Sequence, residues 1–400
     1  MAMFEIIDKE ENASDTETII KVVGVGGAGG NAVDHMIREG VMGVDFVAAN
    51  TDAQALKRSV AHRKIRLGKS GLGAGAKPEV GRNAALEERE QIAETLRGAN
   101  MVFITAGMGG GTGTGAAPII AEVAREMGIL TVAVVTKPFA FEGKRAKVAE
   151  TGLVELQKNV DSLIVILNDK LMDVLGDDVS MEDAFKAADN VLRNAVGGIA
   201  EIINYPGLVN VDFEDVRTVM SEMGMAMMGS ASAAGVDRAR IAAEQAVASP
   251  LLEGVNLSGA KGVLVNITAT RGLKMKEVNE VMSTVREFAA EDAHIIFGAV
   301  YDESMADEIR VTVVATGLGQ AQVRRQGFTV IDTPVAQATG TNDAYAMHAD
   351  AIDYAALDGI PAVFRNNMRS GRSSATTVEA MVNNGMDRYD IPAFLRKQAD

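Results

Sequence analysis

Two glycine-rich segments contain the residues of this 400-residue chain with the clearest capacity for chemistry. Residues 24–31 read Gly-Val-Gly-Gly-Ala-Gly-Gly-Asn and include a G-x-G-x-x-G pattern, while residues 109–115 read Gly-Gly-Gly-Thr-Gly-Thr-Gly. Each segment follows an apolar run typical of a strand and precedes a helical pattern. Glycines let backbone amides approach an anion closely at the start of a helix, and the threonines add hydroxyl donors. The sequence therefore predicts two phosphate-binding loops.

The first loop alone leaves its ligand open. Dinucleotide-dependent oxidoreductases use the same glycine pattern, and a tight strand–helix turn needs no ligand at all. The second loop is too rich in glycine for a plain linker between a buried strand and a helix. Two loops far apart in sequence favour one nucleotide di- or triphosphate held from both sides. A P-loop is not indicated, because Arg63 stands where its first glycine would precede Gly68-Lys69-Ser70.

Composition excludes several classes of protein. The net charge of −15 argues against nucleic-acid binding and means that phosphates must be held by backbone amides and a metal ion rather than by a basic patch. The chain has no cysteine, which excludes disulfides and thiolate metal sites and fits a reducing cytoplasm. No apolar run approaches the roughly 20 residues of a membrane-spanning helix, so direct membrane insertion is not expected.

Short runs rich in Val and Ile alternate with helix-like stretches in the first part of the chain. The predicted strands cover 19–23, 46–49, 101–105, 130–135 and 163–167, and a helix at 32–39 follows the first loop. This alternation predicts an α/β fold with a parallel, Rossmann-like sheet and helices on both faces.

A long helical pattern over 181–203 stops before Pro206-Gly207 and is expected to be buried between two domains. A smaller α/β unit with a mixed sheet follows. Its predicted helices lie near 214–228, 237–248 and 276–290, and its predicted strands at 262–268, 294–300 and 310–315.

The predicted organisation has six parts. From about residue 320, Gly, Ala, Thr, Asn and Ser dominate and periodicity is lost, which predicts a flexible linker. The parts are a disordered N-terminal extension at 1–18, a nucleotide-binding domain at 19–180, a central core helix at 181–204, a C-terminal domain at 205–319, the linker at 320–386 and a tail peptide at 387–400.

Taken together, these motifs resemble the tubulin/FtsZ superfamily. The segment 109–115 matches the tubulin signature GGGTGTG, and further matches run in order from about Ile19 to Gly319 at 24–31, 50–52, 71–75, 138–142, 168–171 and 210–213. The resemblance implies a GTPase of bacterial cell division that uses GTP/GDP and Mg²⁺. It implies head-to-tail assembly into cytoskeletal filaments, a C-terminal domain that activates hydrolysis, and a cytoplasmic location at the mid-cell division site.

The resemblance also implies a set of nucleotide-binding residues. Asn168 and Asp189 would recognise guanine, since a carboxylate accepts from both N1–H and N2–H₂ of that base. The alternatives are that Asp189 is a polar residue on the rim of a buried helix, and that Phe185 packs in the core instead of stacking on the base. Which of Lys144 and Arg145 faces the phosphates stays open. The implied set is Gly26, Gly27, Ala28, Gly29, Asn31, Asn50, Asp52, Gly73, Ala74, Gly75, Gly109, Gly110, Gly111, Thr112, Gly113, Thr114, Gly115, Pro138, Glu142, Arg145, Asn168, Phe185 and Asp189, with Mg²⁺ held mainly by the nucleotide phosphates.

The candidate catalytic carboxylates lie elsewhere, at Asp212 and Asp215. Three positions apart, they share a face at the start of a predicted helix, where helix capping is an equally good explanation. By resemblance they would act, with Asn210, on the nucleotide of a neighbouring subunit, so that Asp215→Ala would bind GTP and hydrolyse it very slowly.

The last residues regain large apolar side chains. Residues 390–397 predict a short amphipathic helix that is marginal until it docks on a partner. By resemblance it binds membrane-tethering and regulatory division proteins through Asp390, Ile391, Pro392, Phe394, Leu395, Arg396 and Lys397. An imperfect copy at 359–365, Gly-Ile-Pro-Ala-Val-Phe-Arg, suggests a weaker second docking site, with chance similarity in an Ala-rich linker as the alternative.

Overall fold

The computed structural model describes residues 18–176, 179–204, 211–221, 224–249, 260–290 and 293–318. All of these lie in one compact unit. Asn210, the linker predicted over 320–386 and the tail predicted over 387–400 lie outside the described residues.

The elements of the first half alternate between strands and helices as predicted. In chain order they are β1 (Ile20–Val25), α1 (Gly26–Arg38), β2 (Asp45–Asn50), α2 (Ala53–Arg58), β3 (Arg63–Arg66), α3 (Pro78–Glu87), α4 (Arg89–Leu96), β4 (Met101–Gly107), α5 (Thr112–Glu126), β5 (Leu130–Lys137), α6 (Lys144–Gln157), β6 (Ser162–Leu167) and α7 (Asn168–Leu175).

The second half begins with the long helix and continues into the mixed unit. Its elements are α8 (Met181–Asn204), α9 (Phe213–Met220), β7 (Gly224–Ala234), α10 (Arg238–Val247), β8 (Gly262–Ala269), α11 (Met275–Phe288), β9 (His294–Tyr301) and β10 (Glu308–Leu318).

The described strands form a single sheet in the order β3-β2-β1-β4-β5-β6-β7-β10-β8-β9. The strands from β3 to β7 are parallel, β10 is antiparallel to both β7 and β8, and β8 and β9 are parallel. Strands β1, β4 and β5 are almost entirely buried because helices cover both faces, which explains their continuous Val- and Ile-rich runs. The predicted parallel Rossmann-like sheet followed by a mixed sheet is confirmed.

Two helix predictions were wrong at their ends. The helix predicted near 214–228 stops at Met220, and the Met-rich segment that follows belongs to β7. Met and Ala favour helix locally, but pairing with β10 along most of β7 overrides that preference. The helix predicted at 32–39 begins already at Gly26, so most of the predicted loop is its first turns. Strand β3 and helices α2, α3 and α4 were not predicted.

Helix α8 runs along the parallel strands, from their carboxyl ends toward their amino ends. It has 24 residues, which corresponds to a length of about 36 Å. At its end, Asn204 Nδ2 donates to the carbonyl of Gly43 at 2.6 Å, just before β2 and therefore at the amino edge of the parallel strands. Helix α8 packs against α1 and β5 of the first half and against β8, β9 and β10 of the second half, as its predicted burial between the two parts of the chain requires.

Candidate nucleotide-binding site

Two helices begin side by side at the carboxyl edge of the parallel strands. Helix α1 starts directly after β1, and α5 starts shortly after β4, the strand that pairs with β1. Within the described structure, no side chain caps the first turn of either helix. Their free amides and the positive ends of both helix dipoles therefore point at the same place, which is an arrangement that binds anions.

The glycines of these loops fall into two groups. A Cβ on Gly26 would lie 2.9 Å from the backbone nitrogen of Gly113, and a Cβ on Gly113 would lie 2.7 Å from the carbonyl of Gly107. A Cβ on Gly29 would collide with the carbonyl oxygen of Thr105. These glycines are needed so that backbone can pack against backbone.

The second group of glycines faces open space. A Cβ on Gly27, Gly30 or Gly110 would meet no described heavy atom within 4 Å. Beside Gly110, the positive φ of +96° at Gly109 is held by a bond from its amide to Thr114 Oγ1 at 2.8 Å. The free glycines thus leave backbone accessible in a loop that is otherwise rigid, as a phosphate cradle requires.

A third loop, residues 71–75, adjoins the second one. The carbonyl of Gly71 accepts from Ala53, the amide of Gly73 donates to Thr51 at 3.2 Å, and Thr51 and Thr112 share a hydroxyl bond of 2.6 Å. Ala74 is buried, and a Cβ on Gly111 would lie 2.8 Å from its methyl group. The predicted grouping of 50–52, 71–75 and 109–115 is therefore present in space.

Two adjoining cavities lie along the first turns of α1 and share Gly27 and Asn31. One has a volume of about 360 Å³ and the other of about 530 Å³. From the predicted set, the first is lined by Gly27, Ala28, Asn31, Pro138, Glu142, Arg145, Asn168, Phe185 and Asp189, and the second by Gly26, Gly27, Asn31, Asn50, Asp52, Gly73 and Thr112.

Some predicted residues serve the site indirectly. Asp52 accepts from the amide of Gln54 at 2.8 Å and caps α2, so its carboxylate holds the loop in place. Thr114 and Gly115 line a separate groove behind the second loop. Of the two basic candidates, Arg145 lines the first cavity, where it pairs with Glu142, and Lys144 does not.

Two residues with side-chain oxygen acceptors, Asn168 and Asp189, line the first cavity. Asn168 is buried, and its Oδ1 atom has no hydrogen-bond partner in the described part of the chain. Burial raises the pKa of the Asp189 carboxyl to about 6, an effect that the nearby His35 partly offsets. Unpaired buried acceptors are costly unless a ligand supplies donors. Guanine offers adjacent N1–H and N2–H₂ donors, whereas adenine has no such pair.

Phe185 is 46% exposed and forms part of the wall of this cavity. Its ring meets Phe139 edge to face at a centroid distance of 5.8 Å. Because almost half of the side chain is accessible, the alternative that Phe185 is a core residue does not hold. The ring is available to stack on a base.

Sequence reasoning missed several residues of the first cavity, namely Gly107, Met108, Thr136, Ala188 and Leu192. Thr136 is near the carboxyl end of β5, the edge of the sheet where ligands of parallel folds bind. That rule was the available signal for Thr136. Met108 and Leu192 carry no such signal, because their sequence context is that of ordinary core residues.

Asp212 and Asp215 lie far from these cavities. Asp212 accepts from the amide of Asp215 at 2.9 Å, and Asp215 accepts from the amide of Asp212 at 3.4 Å, which forms a capping box at the start of α9. Both side chains are exposed. The capping role is therefore observed, and within the described residues these bonds use one oxygen of each carboxylate.

In the part of the chain that the structure describes, no group of three or more His, Asp or Glu side chains is placed to hold a metal ion. Within the same ranges, no helix combines the length and apolarity needed to cross a bilayer.

The fold and the paired glycine loops define the class of the protein as a tubulin-like GTPase. The description "Tubulin/FtsZ family, GTPase domain" matches residues 19–176, and "FtsZ family, C-terminal domain" matches residues 224–319. These matches decide against the dinucleotide-dependent oxidoreductase.

The chain belongs to the FtsZ family. It is 54% identical over 402 residues to the "Cell division protein FtsZ" of Pseudomonas aeruginosa, with 100% of both chains covered. The protein of the same name from Coxiella burnetii is 55% identical, over 94% of this chain and 96% of that protein. Among solved structures, an FtsZ dimer from M. jannaschii aligns with a TM-score of 0.73 and 44% identity, covering 76% of this chain and 89% of that one.

Proposed function

We propose that this protein is a GTP-dependent cytoskeletal protein of bacterial cell division that assembles head to tail and hydrolyses GTP between subunits. The phosphates would lie on the amides at the starts of α1 and α5 and on the loop 71–75. Guanine would stack on the exposed Phe185 ring and donate to Asp189. The relatives named as cell-division proteins support this assignment.

The position of α9 is the observation that supports a nucleotide site shared by two subunits. The last turn of α9 is fixed at the amino edge of the sheet by a hydrogen bond of 2.8 Å from the Thr316 hydroxyl to the carbonyl of Val219. Strand β7, which follows α9, begins at Gly224, and Gly224 pairs with Ser162, the first residue of the parallel strand β6. The phosphate loops lie at the carboxyl edge, about 20 Å away along a strand of seven residues. Asp212 and Asp215 therefore complete a nucleotide site only in another copy of the chain.

Stacking the amino edge of one subunit on the carboxyl edge of the next gives a heterologous contact that does not close on itself. Such contacts generate filaments. Each junction would then hold one nucleotide between the glycine loops of one subunit and the α9 carboxylates of the next. The FtsZ dimer among the similar structures is consistent with self-association.

At the junction, the free oxygens of Asp212 and Asp215 would accept hydrogen bonds from water and orient it toward the γ-phosphate, with Asn210 nearby in sequence. The helix amides would stabilise the negative charge that develops on the phosphate oxygens. Mg²⁺ bound to those oxygens would offset part of the charge when present. The described side chains offer no metal cluster of their own, so the phosphates would supply most of its ligands.

The remaining assignments rest on the resemblance to the FtsZ family. Residues 19–180 would bind nucleotide, 205–319 would activate hydrolysis in the next subunit, and the tail would bind membrane-tethering and regulatory proteins at the mid-cell division site. The tail and linker lie outside the described residues.

GTP turnover measured against protein concentration tests the proposal. A shared site predicts that the rate per subunit is near zero at low concentration and rises steeply above an assembly threshold seen by light scattering. A rate per subunit that stays constant through that threshold would show that each subunit carries a complete site.

A further inference from the structure

His35 lies on α1, outside the predicted set of site residues, and its field reaches Asp189, which lines the first cavity. Its Nε2 atom is 2.7 Å from Oδ1 of Asn190, the residue that follows Asp189 on α8. An amide oxygen only accepts, so Nε2 carries the hydrogen of this bond. The bond ties the half-buried imidazole to the same stretch of α8 that presents Asp189 to the cavity.

The charge state of Asp189 decides what it can recognise. Only the ionised carboxylate can accept from both N1–H and N2–H₂ of guanine. Burial works against that form and raises the pKa of Asp189 to about 6, while the positive field of His35 lowers it. Of the charged groups that the structure describes, His35 is the one whose field acts on this carboxyl.

The other charged groups around the pair have partners of their own or lie further along their helices. Asp34 accepts from Ser59 and Val60, Lys186 pairs with Glu182 at 2.8 Å, Glu142 pairs with Arg145, Arg193 donates to Asn194 at 3.2 Å, and Arg38 lies one turn beyond His35 on α1.

We propose that His35 is a positioning residue for guanine recognition: bonded to Asn190, its imidazolium keeps Asp189 ionised and so preserves the preference for guanine below neutral pH. A histidine side chain can carry a positive charge in this pH range, and a glutamine in its place cannot. The inference rests on the proposed GTP site and adds a residue to it.

The test is the affinity for GDP, measured with a fluorescent GDP analogue between pH 5.5 and 8. His35→Gln removes the charge and still donates to Asn190, while His35→Arg makes the charge permanent. His62→Gln is the matched control, because His62 is exposed and does not line the cavities. We expect affinity to fall on acidification with a midpoint about 0.5 to 1 pH unit higher in His35→Gln than in the wild type and His62→Gln, and at or below the wild-type value in His35→Arg, which keeps the positive charge.

Inosine diphosphate lacks the 2-amino group and measures specificity directly. In each variant, the ratio of GDP to inosine diphosphate affinity should fall over the same pH range as the GDP affinity. Thermal unfolding of each variant should show that it is folded. Identical midpoints in the wild type and both His35 variants would overturn the role of His35. If His35→Gln does not fold, His35→Asn takes its place as the neutral variant, and an unshifted midpoint in His35→Asn has the same meaning. Absence of GDP binding by the wild type at pH 8 would instead refute the proposed nucleotide site.

Discussion

Arg217 of α9 donates through Nη2 to the carbonyl oxygen of Gly128 at 3.4 Å. Gly128 precedes β5, so this contact holds α9 against the amino edge of the parallel strands. The nucleotide cavities open at the carboxyl edge. The two candidate halves of the active site are thus held at opposite ends of the parallel strands, so that a complete site requires two subunits.

Asp215→Asn should abolish most GTP turnover while leaving the fold and GTP binding intact. An Asn oxygen can still accept from the amide of Asp212, so the capping box survives, but the negative charge that orients water is lost. We expect a fall in the rate of about 100-fold or more at saturating GTP. Glu214→Gln is the control, since it removes a neighbouring exposed charge of the same helix. An equal loss of GTP turnover in both variants would mean that the total negative charge of α9, and not Asp215 itself, is responsible.

Mixing two inactive variants separates a shared site from a local one. Asp215→Asn retains the nucleotide cavity, and Asp189→Ala retains the α9 carboxylates. A junction that joins the cavity of the first to the carboxylates of the second is complete, so a mixture should hydrolyse GTP faster than the sum of the separate proteins. A mixture that only reaches that sum, while co-sedimenting, would contradict catalysis across the junction.

Gly110→Ala and Gly113→Ala should have opposite consequences. A methyl group on Gly110 meets open space in the free protein, so unfolding temperature should not change, but it would occupy the phosphate cradle and lower GTP affinity by about 10-fold or more. A methyl group on Gly113 would lie 2.7 Å from the carbonyl of Gly107 and should destabilise the fold by about 1 to 3 kcal/mol. Nucleotide titration and thermal unfolding of both variants distinguish the two roles; a stable Gly113→Ala variant would contradict the packing argument.

The sequence predicted the strands of the first half because buried parallel strands need continuous Val- and Ile-rich runs, as in β4 and β5. It failed at β7, where Met and Ala carry helical propensity and only pairing with a strand some 80 residues later makes the segment extended. The pattern of α8 was clear, yet whether Asp189 faces solvent or a cavity depends on α1, which sequence periodicity does not place. His35 was passed over for the same reason, since its bond to Asn190 joins residues 155 positions apart.

Phe364→Ala tests the predicted second docking segment at 359–365, which lies outside the described residues. If this copy binds the same partner as the tail, a protein lacking 387–400 should retain weak affinity that Phe364→Ala removes, because Phe364 aligns with the apolar residue Leu395 of the tail and is the only aromatic side chain of the copy. Asn366→Ala, just outside the copied segment, is the control. Partner titration by fluorescence anisotropy gives the answer, and equal affinity with and without Phe364 would favour chance similarity.

Asp189→Asn should weaken GDP binding and raise the free energy of unfolding. The carboxyl has a folded-state pKa of about 6, above its ordinary value, so the folded protein retains a proton that the unfolded chain loses, and stability decreases as pH rises toward and through 6. Replacing it with a neutral amide should raise the stability of the nucleotide-free protein at pH 7.5 by about 1 to 2 kcal/mol, after allowance for partial exposure, and by about half as much at pH 5. GDP affinity should fall by about 10- to 100-fold, while xanthosine diphosphate, whose 2-carbonyl accepts from the new amide, should gain. Thermal unfolding at both pH values and titrations with both nucleotides check this. A variant that keeps full preference for GDP would mean that Asp189 does not read the base, and one whose stability gain is as large at pH 5 as at pH 7.5 would mean that the buried charge is not the source of the cost.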